Sequence, residues 1–207
     1  KFDERVGTSW FLGKSPLSLL ENAVYDPRNE WWRYTCHAYE VASQKCRNKA
    51  VVALTDLLDS VTVTGQLRGS FPTNLLKDMF LEGHRLKKVL ERVQELFFRY
   101  YEESCRRVNV SENGYSTWAG LWSRLKYFTL QCDVIVYLSP RLFNEFVHPL
   151  IVTECRYFER TTWHLDGPME IPHLNDLLDI PELSCIQWIP GEGNPDGGED
   201  CWLPLYR

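Results

Sequence analysis

The chain has 207 residues, of which 44% are hydrophobic and 25% are charged, and its formal net charge is −5. This composition supports a sizeable core and excludes a disordered chain. Basic residues are spread along the chain, which argues against a nucleic-acid partner, and no apolar run approaches the ~20 residues of a membrane span.

The seven cysteines are dispersed, odd in number and form no C-x-x-C pair. Together with the lack of a recognisable signal peptide, they predict free thiols in a reducing compartment and hence a cytoplasmic protein. The first residue is Lys1, and the last residue is Arg207, which follows the sequence Trp-Leu-Pro-Leu-Tyr. We therefore expect both ends to be cut from a longer chain.

The first predicted elements are a helix and a buried strand. Residues 27–48 begin with Pro27, which Asp26 precedes, and they carry apolar side chains at a helical spacing. This pattern predicts an amphipathic helix with its apolar residues at Trp31, Tyr34, Ala38, Val41 and Ala42. Residues 50–55 form a short apolar run, typical of a parallel strand buried on both faces. This strand ends in Asp56, and Asp59 follows one short turn later.

Further along, Gly65 and Gly69 flank a predicted loop, and residues 74–81 predict a brief helix. Residues 86–106 show the clearest helical periodicity in the chain, with charges between the apolar positions. Asn-Gly at 113–114 is a turn signal, after which residues 117–122 predict a second strand.

The last part of the chain repeats the alternation of strands and helices. Residues 131–138 form a third apolar run that contains Asp133, and Ser139-Pro140 is the signature of a helix start. That helix is predicted to reach about residue 160. Strands are then predicted at 161–166 and 184–189, with a helix at 171–178 between them and a glycine-rich loop at 190–198 after them. The loop pattern fits a ligand-wrapping segment and a plain turn equally well.

This alternation predicts an α/β fold with a parallel sheet. In the strand at 161–166, His164 and Asp166 are two residues apart and point to the same face. Asp56 stands at the end of the first strand-like run, Asp133 lies within the third, and this pair ends the fourth. The ends of parallel strands are where such folds keep their sites. The alternative is that each aspartate caps a helix and that the histidine is half-buried structure.

Several carboxylates and one imidazole on such a rim suit acid–base chemistry, or the binding of a cation or a polar ligand. A zinc site needs three or four ligands, and His164 with Asp166 supplies two. No cysteine stands at a matching spacing. The sequence leaves a metal site open.

An ordered series of motifs resembles the uroporphyrinogen decarboxylase superfamily over roughly residues 48–206, and within it the decarboxylase-like proteins grouped with corrinoid-dependent methyltransferases. The residues that carry the resemblance are Thr55-Asp56-Leu57, Asp59, Leu67-Arg68-Gly69, Asp133, Ser139-Pro140, Phe143, Phe146-Val147, Pro149, His164-Leu165-Asp166-Gly167, His173-Leu174 and Ile186-Gln187-Trp188-Ile189-Pro190-Gly191. Zinc-dependent members carry a cysteine where this chain has Asp166. The arginine-rich segment of the true decarboxylases has no counterpart in residues 1–50.

The resemblance implies a (β/α)8 TIM barrel, present here as a single domain over residues 1–207 that lacks the first and last strands. It implies an enzyme that transfers a methyl group in conjunction with a corrinoid cofactor or corrinoid protein. The alternatives are decarboxylation of a uroporphyrinogen-type tetrapyrrole and a non-catalytic ligand-binding barrel. A homodimer is a further option.

The resemblance also assigns roles to the candidate residues. His164 and Asp166 would polarise the methyl donor or acceptor or hold zinc, and Asp56 would act with them, or would stabilise charge on a pyrrole ring in a decarboxylase. The substrate-binding candidates are Asp133, Trp118, Trp122, Gln187 and Trp188. The three tryptophans would line a tetrapyrrole-sized pocket, although each is equally compatible with the core.

Overall fold

The computed structural model of the chain describes residues 13–207 and, before them, the backbone of 2–3 and 8–9. The chain divides into two compact units, residues 1–126 and residues 127–207. The described part of the first unit is mainly helical, whereas the second unit is built on a parallel sheet. Whether the two units form the single predicted domain stays a prediction.

The first unit contains helices and two short antiparallel hairpins. The helices are α1 (Leu17–Leu20), α2 (Glu30–Cys46), α3 (Ser60–Arg68), α4 (Thr73–Leu81), α5 (Gly83–Val108) and α6 (Val110–Asn113). The hairpins pair β1 (Phe2–Asp3) with β2 (Thr8–Ser9) and β3 (Tyr115–Ser116) with β4 (Trp122–Ser123).

Helix α5 is the centre of the first unit, and helices α1 to α4 pack against it. Its apolar positions recur every three or four residues, and its inner side chains Leu86, Val89, Leu90 and Val93 are buried. The prediction of a helix here is confirmed, and the helix is longer than predicted by a few residues at each end.

Three predictions for the first unit are wrong. Residues 117–122 do not form a strand, because most of them make the connection between β3 and β4 and only Trp122 is a strand residue. Residues 50–55 do not form a doubly buried strand, because only Leu54 makes a bridge, to Thr117, and the neighbouring Val51 is 42% exposed. The predicted loop between Gly65 and Gly69 is the second half of α3. Gly65 is tolerated inside this helix because a Cβ there would lie 2.8 Å from the ring of Phe71, so the absence of a side chain permits close packing.

Helix α2 was predicted from the apolar spacing that begins at Trp31 and Tyr34, and the helix is confirmed. Its orientation differs from the expectation for an amphipathic helix, however. The residues that face the core are Trp32, Cys36 and Tyr39, whereas Trp31 and Tyr34 are 73% and 70% exposed. The periodic apolar stripe therefore lies on the solvent side of the helix.

The second unit contains strands β5 (Tyr127–Leu130), β6 (Arg160–Asp166) and β7 (Cys185–Ile189), in the order β5-β6-β7. All neighbouring strands are parallel. The helices between them are α7 (Pro140–Phe146), α8 (His148–Tyr157) and α9 (Leu174–Leu178), and three 3₁₀ segments cover Asp133–Tyr137, Pro168–His173 and Asp200–Trp202.

The observed helices and strands of the second unit confirm some of the predictions and contradict others. The strands predicted at 161–166 and 184–189 are confirmed, and Ser139 caps α7 by accepting the Leu142 amide N–H at 3.4 Å. The strand predicted at 131–138 is wrong. The strand of this region is β5, which ends at Leu130, and the apolar run that follows it forms the 3₁₀ segment Asp133–Tyr137. The predicted helix at 171–178 becomes a 3₁₀ segment followed by the short α9.

The structure therefore shows a mixed helix and sheet architecture with a parallel sheet. The three strands of this sheet are open at both edges, so a closed barrel is not formed by the part of the chain that the structure describes. Within the same described residues, no helix combines the length and apolar character needed to cross a membrane.

Candidate functional site at the carboxyl ends of the parallel strands

Strand alternation gives the sheet of the second unit one polar face. In β6, Thr162, His164 and Asp166 alternate with the buried Trp163 and Leu165. The parallel register places Thr162 beside Cys185, and His164 beside Gln187, on the same face. Polar side chains of adjacent strands are thereby aligned across the sheet, while the opposite face is apolar.

The middle of the polar face is a chain of hydroxyl contacts. The Tyr127 hydroxyl lies 2.8 Å from Thr129 Oγ1 and donates to Thr162 Oγ1 at 3.1 Å. Thr162 Oγ1 is in turn 3.5 Å from the sulfur of Cys185. Tyr127, Thr129 and Thr162 are buried, so these contacts satisfy hydroxyls that would otherwise be costly to remove from water.

Towards the carboxyl end of the strands, His164 and Gln187 form a side-chain pair. Nδ1 of His164 is 2.8 Å from Oε1 of Gln187. An amide oxygen only accepts, so His164 donates from Nδ1, and in the neutral tautomer that makes this contact Nε2 is the acceptor nitrogen. The imidazole is thus oriented with its basic nitrogen defined.

Asp166 ends β6, and the chain turns immediately after it. Gly167 has φ 85°, a left-handed conformation that favours glycine, and its amide donates to the Ile189 carbonyl at 2.8 Å. The Asp166 amide donates to Oε2 of Glu170 at 3.1 Å. The turn is therefore fixed both to β7 and to the 3₁₀ segment, while the Asp166 side chain is exposed.

Glu170 is a site residue that the sequence analysis did not identify. Its side chain is only 2% exposed, and burial is the main reason that its pKa is raised to about 8. The negative charges of Asp133 and Asp166 raise this pKa further, whereas the hydrogen bond from the Asp166 amide opposes the shift. At neutral pH most Glu170 side chains carry a proton.

Asp133 begins the 3₁₀ segment that follows β5, and this position brings it to the same cluster. The pKa of Asp133 is raised by burial first and by the charge of Asp166 second, while His164 acts in the opposite direction. Three carboxyl groups and one imidazole therefore interact electrostatically at the carboxyl ends of β5 and β6. We call Asp133, His164, Asp166, Glu170 and Gln187 the carboxyl-end cluster.

His173 lies near this cluster in sequence but has a structural position. It is 1% exposed, its Nε2 lies 3.0 Å from the Ile135 carbonyl oxygen, and its ring stacks on Phe143 at 4.4 Å. Burial lowers the pKa of His173, so the ring is neutral and donates from Nε2. It stabilises the packing of the two 3₁₀ segments.

Trp188 follows Gln187 in β7, just before the glycine-rich loop. Its ring contacts that of Trp202 edge to face at 5.0 Å, and the Trp202 indole donates to the Pro195 carbonyl at 3.2 Å. Asn194 also closes the loop by donating to the Pro190 carbonyl at 2.8 Å. The loop is thus a folded turn held by its own side chains.

The remaining sequence candidates lie in the first unit. Asp56 is exposed in the segment before α3, and Asp59 caps α3 by accepting the amides of Val61 and Thr62. Trp122 is 52% exposed, and its indole donates to the Asn113 carbonyl at 2.9 Å. Trp118 lies in the connection between β3 and β4, and it is half-buried. The roles proposed for Asp56, Trp118 and Trp122 stay predictions.

The described residues do not bring a complete set of metal ligands together. Among the described residues, no group of three or more His, Cys, Asp or Glu side chains is arranged to hold a metal ion. Zinc requires three or four such ligands, so His164 with Asp166 falls short. A zinc-holding role for His164 and Asp166 stays a prediction.

A surface cavity of about 480 Å³ lies at the opposite, amino end of β6. Its lining includes Arg156 and Glu182, which pair with each other at 3.0 Å. No residue of the carboxyl-end cluster lines it. The carboxyl end, where parallel sheets keep their ligands, remains the candidate site.

No protein-family model matches this chain, and no curated protein matches it. A solved structure described as a methyltransferase from Methanosarcina mazei is similar in fold, with a TM-score of 0.61 and 16% sequence identity. The similarity covers 86% of this chain and 48% of that structure, so the chain spans about half the length of its structural neighbour. At this identity, the likeness shows a similarity of fold alone.

Proposed function

We propose that the carboxyl-end cluster is the active site of a methyl-transferring enzyme of the uroporphyrinogen decarboxylase-like type, acting with a corrinoid as methyl donor. The observation that carries the proposal is the convergence of His164, Asp133, Asp166 and Glu170 at the carboxyl ends of parallel strands. Ligand sites of open parallel sheets occupy this position. The fold similarity to a methyltransferase agrees with it.

The contact between His164 and Gln187 supports the role of proton acceptor for His164. A thiol or another protic methyl acceptor must lose its proton as the bond to the methyl carbon forms. Nε2 of His164 is the acceptor nitrogen because Gln187 holds the proton on Nδ1. The resulting imidazolium is stabilised by the charges of Asp133 and Asp166, which interact with the same site.

The carboxyl groups would divide the remaining tasks. Asp166 is exposed and lies on the same face as His164, so it can orient a polar or cationic part of the substrate. A methylated corrinoid would supply the methyl group as substrate, either free or on a partner protein. The cobalt–carbon bond would break as the bond from the acceptor to the methyl carbon forms, and its electron pair would leave with the corrinoid as Co(I). Zinc-assisted thiol activation is not part of this proposal.

The direct test is methyl transfer from methylcobalamin to small thiols, followed by the absorbance change of the corrinoid and by mass analysis of the thioether. His164→Ala is expected to reduce the rate about 100-fold or more, as loss of a general base does. His37→Ala, in the exposed part of α2, is the matched control and should retain the rate. A His164→Ala variant that is as active as wild type would contradict the proposal.

A second candidate is decarboxylation of a uroporphyrinogen-type tetrapyrrole, and one observation favours it. Loss of CO₂ leaves a carbanion that needs a proton, and a buried carboxyl group with a pKa of about 8 is a suitable donor. Incubation with uroporphyrinogen, followed by chromatography of the products, distinguishes the two reactions. Tight binding of either ligand without turnover would instead identify the non-catalytic binder.

A further inference from the structure

The second unit carries a large excess of negative charge, which the proposed function leaves unexplained. Residues 127–207 contain thirteen aspartates and glutamates but four arginines and no lysine. The other nineteen of the 23 basic residues belong to residues 1–126. A surface that carries one sign of charge attracts ligands of the opposite sign and repels ligands of the same sign. The second unit therefore favours positively charged ligands.

The four arginines of this unit do not offset the charge at the carboxyl ends of its strands. Arg156 and Arg160 line the cavity at the amino end of β6. Arg141 lies on α7 and pairs with Glu145 at 3.6 Å. The fourth is Arg207, which is exposed at the last residue of the chain. Two of the four thus lie at the opposite end of the sheet, and a third already has an anionic partner.

The carboxyl groups of the carboxyl-end cluster repel one another. Burial is the main reason that the pKa values of Asp133 and Glu170 are raised, and the charge of Asp166 raises both of them further. His164 acts on Asp133 in the opposite direction. A second cationic group bound beside these carboxyl groups would relieve the repulsion, because an opposite charge stabilises the ionised form. The cluster is therefore suited to a ligand that brings a positive charge.

The glycine-rich loop after β7 adds acidic side chains near the same end of the sheet. The loop starts beside the turn that follows Asp166, since a Cβ on Gly191 would lie 3.9 Å from the Cα of Gly167. Four acidic residues of residues 190–200 are exposed, namely Glu192, Asp196, Glu199 and Asp200. Their charges add to that of Asp166 at distances where salt screens them only in part. A ligand that approaches this end of the sheet meets a negative field before it reaches the cluster.

His164 and Asp166 set the size of the ligand that can use both. They are two residues apart on one face of β6, so their side chains start about 7 Å from each other. Asp166 is exposed, and a cationic group can reach its carboxylate from solvent. A ligand that gives a proton to Nε2 of His164 and contacts Asp166 with its cationic group therefore needs a short spacer, of about two or three carbons.

From this charge distribution and this spacing, we infer that the methyl acceptor of the carboxyl-end cluster is a small thiol that carries a protonated amino group. The inference rests on the proposed function for the reaction itself. The ammonium group binds at Asp166, while the thiol gives its proton to His164 and its sulfur forms the bond to the methyl carbon. The same charges repel thiols that carry a sulfonate or a carboxylate, and they repel a polycarboxylate such as uroporphyrinogen.

Binding of three methyl thioethers tests the charge preference without turnover. The compounds are 2-(methylthio)ethylamine, 2-(methylthio)ethanol and 2-(methylthio)ethanesulfonate, whose head groups are cationic, neutral and anionic. Titration of each into the whole chain, followed by the nuclear magnetic resonance shifts of the His164 ring, gives the affinities. The amine should bind about fivefold or more tightly than the alcohol and about tenfold or more tightly than the sulfonate. Added salt should reduce both ratios.

A pair of charge-removing variants tests the role of Asp166. Asp166→Asn removes the negative charge and keeps a polar side chain, and it should reduce the preference for the amine several-fold. Asp179→Asn makes the same change at the exposed end of α9, before β7 begins, and should keep the wild-type preference. Circular dichroism in the far ultraviolet checks that both variants are folded. An unchanged preference in Asp166→Asn, or a sulfonate that binds as tightly as the amine, would overturn the inference.

The corresponding thiols test the acceptor in the reaction. Cysteamine, 2-mercaptoethanol and 2-mercaptoethanesulfonate are each supplied with methylcobalamin, and kcat/KM is divided by the uncatalysed rate of the same thiol at the same pH. We expect these normalised values to fall in the order amine, alcohol, sulfonate. Equal values would overturn the inference and leave the proposed methyl transfer in place. No transfer to any thiol would contradict the proposed function, and the thioether titrations would then decide the charge preference alone.

Discussion

The Nδ1 atom of His164 lies 2.8 Å from Oε1 of Gln187, a residue 23 positions later in the chain and directly beside it in the parallel register of β6 and β7. One side-chain contact thereby fixes both the rotation and the tautomer of the imidazole. Sequence spacing places His164 and Asp166 on one face of a strand, but it cannot supply this partner from the next strand.

Without the Gln187 acceptor, we expect the proton of the neutral His164 ring to be distributed between Nδ1 and Nε2. In wild type, ¹⁵N chemical shifts of neutral His164 should show a protonated Nδ1, and in Gln187→Leu they should show a mixture of tautomers. Loss of one hydrogen bond should reduce the free energy of unfolding by about 1 kcal/mol. The exposed His37 provides an internal reference, and a wild-type His164 protonated on Nε2 would contradict the assignment.

The buried carboxyl group of Glu170 should make stability depend on pH. Its pKa is about 8 when folded, against an ordinary value of 4.5, so the native state holds this proton more tightly than the unfolded state does. Its contribution to the free energy of unfolding should therefore fall as pH rises from about 4.5 to about 8, by about 1.4 kcal/mol per unit of pKa shift.

Glu170→Gln removes this titration while keeping the acceptor for the Asp166 amide. Compared with wild type, the variant should gain stability progressively between pH 5 and pH 8 (the interval of about three units set by the shift), as measured by urea unfolding at each pH. The exposed Glu192→Gln serves as the control and should follow wild type. A constant difference between Glu170→Gln and wild type would mean that Glu170 does not titrate in this range.

The turn after Asp166 should be sensitive to a side chain on Gly167. Its φ of 85° is unfavourable for residues with a Cβ, and substitution by alanine is expected to cost about 1–2 kcal/mol. Gly198→Ala is the control, because a Cβ there meets nothing within 4 Å. Chemical denaturation of both variants measures the difference, and equal stabilities would show that the turn adapts without cost.

Two ion pairs of this chain should differ greatly in their contribution to stability. Arg68 contacts both carboxylate oxygens of Asp78 and donates to the Ser15 carbonyl at 2.8 Å, and the pair is largely buried. Asp78→Ala leaves that guanidinium without its counter-charge and should cost about 3 kcal/mol. Glu182→Ala breaks the exposed pair with Arg156 and should cost at most about 1 kcal/mol in the same urea titration.

The elements that local chemistry determines could be predicted from the sequence. The serine cap before Pro140 starts α7, and the β-branched residues before His164, with Gly167-Pro168 after Asp166, delimit β6. The same alternation correctly placed His164 and Asp166 on one face. In these cases the signal and the structure lie within the same few residues.

Burial decided what the sequence could not predict. In the sequence, Glu170 has the pattern of an ordinary acidic residue on the surface. Only its position four residues after Asp166 indicates the contact in which its carboxyl group accepts the Asp166 amide. Helix α2 carries two apolar stripes, and periodicity alone does not indicate that Trp32 faces the core while Trp31 faces solvent. Helix α3 was missed because threonine, valine and glycine are weak helix formers, and packing outweighs that preference.

The position of β7 at the open edge of its sheet has a kinetic consequence. An edge strand has one neighbour, so it can detach locally at lower free energy than a central strand. Each detachment would remove Gln187 from His164 and the Ile189 carbonyl from the Gly167 amide, while β5 and β6 remain paired. Fraying at the carboxyl-terminal strand would thus switch the imidazole between a held and a released state well below the temperature at which the chain unfolds.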